Sequence, residues 1–464
     1  MDSLERTHQA PQWPPASEAT SGAPASPATP AATAGRTRRG ALQTLFALTA
    51  VAGFGAAGCG GGSSSSTPSP SPSAGGPAPA PTTAPTPSPS PPPSPSPAPS
   101  PTPAPTPAPS GPAKLTTFTT GLNSPWGLAF LPDGRILVTE KAGGLKLVSA
   151  NGATVSTVSV SLPGGLVTAG QGGLLDVALD PDFATTPWVY LSYSQPGTGG
   201  SGTAVMRGQL SGNAIVNPAQ IFQQSPKVSG DGHFGARLVF GADKTLFITL
   251  GERQQGSPAQ DLTKHLGKVV RINRDGTAAA GNPSLGAGAA AHLWSVGHRN
   301  PQGAALHPTT GELWVAEHGP QGGDEINIAR AGQNYGWPNV SYGCNYGDSF
   351  PGQDNTSCRI GGTGGVHAPT YVEPLTTWVP LSVAPAGIAF YTGSLFPEWQ
   401  GSLFVTTLAG QALWRLTLSG NTVSAREKIL DPIGERLRDV AQGPDGALYV
   451  LTDSASGRIL RIGR

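Results

Sequence analysis

The sequence predicts an all-β fold, a six-bladed β-propeller, preceded by an export segment with a lipobox and a disordered Pro/Ser-rich linker. Two observations carry the propeller. One pattern recurs six times along the C-terminal part of the chain, and no long segment there shows the period of an amphipathic helix. Each copy is a short apolar run, a turn of the Pro-Asp-Gly kind, then an alternating run. The copies read GLAFLPDGRILVTE at 127–140, DVALDPDFATTPWVYLSY at 176–193, RLVFGADKTLFITLGE at 237–252, GAALHPTTGELWVAEHG at 303–319, GIAFYTGSLFPEWQGSLFVTTL at 387–408 and DVAQGPDGALYVLTD at 439–453. The turn residues reverse the chain, and the β-branched and aromatic runs after them suit a pleated, half-buried surface. Hairpins recurring at this period, with loops of different length between them, form blades that bury their faces against one another. No GxGxxG follows a strand, which argues against a dinucleotide-binding domain.

The segments before the repeats follow from composition. Residues 1–35 are rich in Pro, Ala and Ser and are expected to be a disordered extension. Residues 36–59 read RTRRGALQTLFALTAVAGFGAAGC. Arg36, Arg38 and Arg39 precede an apolar core too short to span a bilayer, which is the form of an export signal. Thr37-Arg38-Arg39 partly resembles a twin-arginine signal, with Gly40-Ala41 where a bulky residue is usual. Ala56-Ala57-Gly58-Cys59 resembles a bacterial lipobox, in which Cys59 is the lipidated residue; plain secretion with cleavage near Ala57 is the alternative. Gly60, with no Asp after Cys59, points to the outer membrane. The domain is therefore expected to be periplasmic or at the cell surface, touching a membrane only through its lipid. The linker, 60–113, has almost no side chain able to offset ordering entropy, and its prolines favour an extended spacer. The propeller is assigned to 114–464. The net charge of +1 and the absence of a basic run give no reason to expect a nucleic-acid partner. Cys344 and Cys358 share one Gly/Asn/Asp-rich loop; in an oxidising compartment they are expected to form a disulfide worth roughly 3 kcal/mol by loop entropy.

Five polar segments interrupt the repeats, each expected just before a blade strand, so that all open on one mouth. Gly170-Gln171-Gly172-Gly173 is the first. Ser229-Gly-Asp-Gly-His233 is the second; a histidine can take a proton near neutral pH, although one alone is commonly a structural hydrogen-bonding residue. Gly297-His298-Arg299-Asn300-Pro301-Gln302 is the third. Its guanidinium fork and amide suit a flat polar ligand, and a capped turn on the rim is the plain alternative. Glu317-His-Gly319-Pro320 through Asp324-Glu325, then Asn334-Tyr335-Gly336-Trp337-Pro338, is the fourth. Adjacent carboxylates amid exposed carbonyls suit a hard cation, Ca²⁺ above all. The fifth is Gly434-Glu435-Arg436-Leu437-Arg438-Asp439. Alternation puts Arg436 and Arg438 on one strand face, where an anion between them would relieve their repulsion. Glu435 and Asp439 are the alternative partners.

As a set, GQGGLLDVALDPDF, HFGARLVFG, GHRNPQG, EHGPQGGDEIN, NYGWP and RLRDV resemble the soluble aldose sugar dehydrogenases that use pyrroloquinoline quinone (PQQ), the glucose/sorbosone dehydrogenases. The resemblance implies a six-bladed, exported quinoprotein oxidising aldoses to lactones. It implies His233 as the general base, with Arg299 and Asn300 beside the quinone oxygens. Gln171 and Tyr346 would contact the cofactor, and Arg436 and Arg438 its carboxylates. The carbonyls of Gly319 and Pro320 would ligate the Ca²⁺ that polarises PQQ, and Glu325 and Tyr335, with Asp324 beside them, a second, structural Ca²⁺. Two departures stand out. Gly232 occupies the place of an Asp before the histidine, with Asp231 one residue away. Thr407-Leu408-Ala409 lacks a lysine that contacts PQQ in relatives. The insertion near 343–368 is expected to bear on which sugar is taken, and the electron acceptor is an unknown external one. A Ca²⁺-dependent propeller lactonase and an inactive cell-surface binding propeller are the other readings.

Overall fold

The computed structural model describes residues 111–349 and 354–464. The extension at 1–35, the export segment with Cys59 and all but the last residues of the linker lie outside them. The described residues form six four-stranded antiparallel sheets. The innermost strands of blades 1 to 6 are Pro125–Phe130, Leu174–Leu179, Gly235–Phe240, Pro301–Leu306, Pro385–Phe390 and Leu437–Gln442. They pack side by side in a closed ring. The six repeats read from the sequence are these inner strands, each with the strand that follows it.

The alternating apolar residues make this arrangement stable because each sheet has two faces to bury. Six apolar clusters lie between successive blades. Leu137 and Leu145 of blade 1 meet Leu174 and Leu191 of blade 2, for example. The second strands, such as Ile136–Glu140 and Leu313–Glu317, are consequently buried at every position. Closure comes from the first strand, Lys114–Leu122, which pairs antiparallel with the last, Gly457–Gly463, and becomes the outer strand of blade 6. That removes the free edge an open ring would present.

Two features aim residues at the mouth. Every inner strand begins with a register shift, such as that between Leu437 and Asp439. A bulge of this kind turns a side chain out of the ladder. It places Arg438 and Gln302 opposite one another, with Arg438 Nη1 donating to Gln302 Oε1 at 2.7 Å. The third residue of each inner strand faces the channel: Gly127, Asp176, Arg237, Gly303, Gly387 and Asp439. A Cβ at Gly127 or Gly387 would strike the neighbouring Asp176 or Asp439 side chain, at 2.6 and 2.0 Å. Arg237 Nη1 joins those two carboxylates at 2.9 and 3.0 Å, closing the channel beneath the mouth with a buried charge network.

Candidate active site

His233 stands in the left-handed region, φ 51°, and Gly251 is needed beside it, since a Cβ there would meet the His233 carbonyl at 2.1 Å. Arg253 fastens the loop. Its guanidinium donates to the carbonyls of Gly232, Ser201 and Gly230 and stacks on Phe234 with 3.7 Å to the ring centroid. The His233 amide donates to Gln171 Oε1 at 2.8 Å. His233 Nδ1 lies 2.6 Å from Glu252 Oε1, and Glu252 Oε2 accepts the Gly256 amide at 2.6 Å. An ionised carboxylate only accepts, so Nδ1 carries the proton and Nε2 is left as the basic nitrogen. Burial is the main influence lowering the His233 pKa; the Glu252 bond opposes it and the Arg299 charge reinforces it. The ring is therefore neutral at neutral pH.

The sequence contains a counterpart for the missing acid, but not where the motif puts it. Gly232 is packed against the Gln254 side chain, and the Asp231 carboxylate lies against Gly170. The carboxylate that orients the histidine is Glu252, from the far end of the same hairpin.

Arg299 and Asn300 complete this side of the mouth. Arg299 donates from Nη1 to the carbonyls of His318 and Gly319, at 3.1 and 2.6 Å, and from Nη2 to the Tyr346 hydroxyl at 3.1 Å. Its guanidinium also lies 5.1 Å from the Trp337 ring centroid. Asn300 Oδ1 accepts the Gly235 amide. His318 Nε2 donates to the Pro385 carbonyl at 2.9 Å, and burial pulls that ring down to about 3, so it is neutral. A cavity of about 370 Å³ opens between His233, Glu252, Gln254, Arg299, Trp337 and Tyr346. Tyr346 is 72% exposed, on the loop closed by the Cys344–Cys358 bridge, whose Cα atoms are 5.1 Å apart.

Arg436 and Arg438 meet a different partner from those expected. Both bond Asp453 Oδ2, Arg436 at 2.7 and 2.9 Å and Arg438 at 3.1 Å. Glu435 pairs with Arg458 instead, and Asp439 with Arg237. The bulge contributes: it turns Arg438 out of the ladder toward Gln302 and Asp453, while Asp439 faces the channel and Arg237. Burial raises the Asp453 pKa, but Arg438 and Arg436 outweigh it and hold the carboxyl below its ordinary value. Lys141, from blade 1, donates to the Gly170 carbonyl at 2.9 Å; its amide bonds Ser124, whose own amide bonds Ser454, the residue after Asp453, so the lysine stands at the blade 1–blade 6 seam. Arg436 and Arg438 thus share one carboxylate, with the Lys141 ammonium nearby and unpaired by any acid among the described residues.

The segment 319–325 departs from the expected register. It is the turn between the second and third strands of blade 4, Leu313–Glu317 and Asp324–Ile328, rather than a lead-in to an inner strand; since the second strand ends at the mouth, it still opens there. Gly319 O accepts Arg299, and Pro320 lines the larger cavity. Asp324 is used internally, bonding Ser382 and the amides of Gly319, Val383 and Ala384. Glu325 and Tyr335 line a small adjoining cavity of about 10 Å³ with Glu317 and His367, and Arg299 and Trp337 border both cavities. That is room for one water or ion. Burial, then Glu317, pushes the Glu325 carboxyl well above its ordinary value, and Asn327 Nδ2 bonds both acids. Among the described residues no three His, Cys, Asp or Glu side chains gather as a metal cluster. The candidate cation sites here rest on backbone carbonyls and one or two carboxylates.

Glu252, Asp453 and Lys141 were not singled out by the sequence reading, and Glu317 only as the start of its segment, yet a signal for the acids exists. The second strands end TEK, LGER, AEH and LTD in blades 1, 3, 4 and 6, so an acid sits at or just beyond the mouth end of each.

The model of the family described as Glucose / Sorbosone dehydrogenase matches residues 122–461. Aldose sugar dehydrogenase YliI of Escherichia coli (strain K12) is 43% identical over 346 residues, covering 74% of this chain and 90% of that protein. The crystal structure of the soluble aldose sugar dehydrogenase from Escherichia coli, in the apo form, is similar with a TM-score of 0.69 at 41% identity, over 76% of this chain and 99% of that one. The PQQ-bound aldose sugar dehydrogenase from Streptomyces coelicolor is similar with a TM-score of 0.61 at 30% identity, over 77% and 99%.

Proposed function

From the chain's membership of the glucose/sorbosone dehydrogenase family and from the mouth just described, we propose that it is a PQQ- and Ca²⁺-dependent aldose dehydrogenase with His233 as the base. The observation that carries the reading is a neutral histidine, its Nδ1 held by Glu252, on the same cavity as Arg299. Both groups fit the residues present. PQQ is flat and bears three carboxylates; the mouth offers Trp337 and Tyr346 as flat faces and a surplus of cations at Arg436, Arg438 and Lys141. The buried Nε atoms of Arg299 and Arg438 also lack partners. Ca²⁺ prefers oxygen donors; Pro320 lines the larger cavity, and Gly319 lines the ion-sized void together with Glu325, Glu317 and Tyr335.

When bound, PQQ supplies a quinone that accepts hydride, and Ca²⁺ makes it a better acceptor. The residues do the rest. His233 Nε2 takes the proton of the anomeric hydroxyl as C1 gives up hydride, so the sugar leaves as a lactone. Glu252 stabilises the imidazolium that results and keeps the ring from turning. Arg299 and Asn300 would hold the quinone end of the cofactor, and Gln171 fixes the His233 backbone. Turnover would further need an external electron acceptor. Export and anchoring through Cys59 form part of the same proposal; Cys59→Ala should release the protein from membranes.

Reconstituting apo-protein with PQQ and Ca²⁺ and following dye reduction across aldoses tests the activity. Turnover with at least one aldose is expected; neither turnover nor PQQ binding would sink the proposal. His233→Ala should lose turnover and keep PQQ bound, and retained turnover would refute the base.

A further inference from the structure

We propose that Lys141 is the third cation of the carboxylate cradle at Arg436 and Arg438 and binds a cofactor carboxylate directly, from blade 1. The proposal rests on the PQQ reading and names a residue for it. The position where relatives place a lysine is structurally committed here. Leu408 is buried and its amide bonds the Ala384 carbonyl, while Thr407 Oγ1 bonds Ala412. No cation reaches the mouth from that stretch.

Lys141 does reach it. The residue follows strand Ile136–Glu140, and its backbone is pinned on both sides: its amide donates to Ser124 O at 3.1 Å, and its carbonyl accepts Leu174 N at 3.1 Å. Gly173 lies so close that a Cβ there would meet the Lys141 carbonyl at 2.4 Å. The side chain is thereby directed along the mouth to Gly170 O, next to Gln171. It has no carboxylate of its own among the described residues. Neighbouring Glu140 turns to Asn123 N and Lys146 instead. Burial first, and then the Arg438 charge, pulls the ammonium below its ordinary pKa, with Asp453 opposing.

A lysine that served only to cap the Gly170 carbonyl would be a poor choice beside two guanidiniums, since a neutral amide would make that bond without repulsion. The arrangement is unfavourable in the free protein and becomes favourable when an anion with more than one charge settles among the three cations. The cradle is thus built from blades 1 and 6, across the seam of the ring.

The test uses the full-length apo-protein, Lys141→Met and Lys141→Arg, titrated with PQQ in the presence of Ca²⁺ and followed by tryptophan fluorescence, since Trp337 lines the cavity and Trp126 lies under Arg438. Lys141→Met should bind PQQ about tenfold more weakly or worse, with a shallower salt dependence, and Lys141→Arg should stay near wild type. Free Lys141→Met should melt no lower than wild type, because removing one cation relieves repulsion. Equal PQQ affinity in Lys141→Met and wild type would overturn the proposal. So would weaker binding that merely tracks a lower melting temperature. If wild type itself binds no PQQ, the cofactor reading fails, an outcome distinct from both.

Discussion

The hydrogen bond between Glu252 Oε1 and His233 Nδ1 joins two residues 19 apart in sequence, both buried, at the ends of one blade's loop and second strand. Its effect is chemical as well as positional. The carboxylate raises the affinity of the ring for a proton, against burial and Arg299. Glu252→Gln keeps the shape and removes the charge. It should lower kcat by about a hundredfold while PQQ affinity changes little. The acidic limb of the kcat/KM profile should move to lower pH, because a base that has lost its carboxylate protonates less readily. An unmoved profile would mean that Glu252 only packs the ring. At this scale the sequence was legible for which residues gather: His233 and Arg299 line one cavity, and Arg436 and Arg438 lie side by side. It was not legible for Glu252 and Asp453. An acid near a strand end is ordinary in sequence, and only the pairing of strands shows which cation it will meet.

Each blade is a repeated element, and here alternation was a good guide: the inner and second strands fell where apolar residues and turn signals put them. The bulges were not readable, because a register shift arises from how two strands meet and not from either one alone. They decide where Arg438 and Gln302 point. Loops between elements are fixed by individual side chains. Lys268, fully buried on the third strand of blade 3, donates from Nζ to the carbonyls of Pro258, Ala259 and Leu266 at 2.9, 2.9 and 2.7 Å. The segment it grips begins at Gly256, whose amide holds Glu252. Lys268→Met leaves three carbonyls without that donor and should cost at least about 3 kcal/mol in denaturant unfolding. A variant as stable as wild type would show that water replaces the ammonium readily.

At the scale of the whole molecule, the buried histidines contribute a loss of stability in mild acid. Burial lowers His265 to about 4 and His318 to about 3. Unfolded, each protonates near 6.5. Between those values the unfolded chain binds more protons than the folded one, so stability present above about pH 6.5 is lost as pH falls toward 4. Asp176, raised by burial to about 6, and Glu325, raised well above its ordinary value, act in the opposite sense, so the histidine share is read by difference: melting temperatures from pH 7.5 to 4.5 should fall less steeply for His265→Gln than for wild type, and parallel curves would contradict the burial of that ring. The ring's count of blades was legible from six repeats, but its closure was not. Lys114–Leu122 follows a proline-rich stretch and contains only scattered apolar residues, so nothing local names its partner.

That closing strand has a further consequence. Thr116 is bonded to a residue 345 positions away, Arg461, and every rung of the seam joins the first described strand to the last. Blade 6 therefore cannot be finished by local hairpin formation, unlike blades 1 to 3, whose four strands are consecutive. Five blades can be in place while the sixth waits for both ends to arrive. Arg436, Arg438 and Asp453 all belong to that last blade. The anion cradle is thus the last part of the mouth to be assembled and the first to be lost when the seam opens, so cofactor retention would report whether the ring is shut well before the other blades melt.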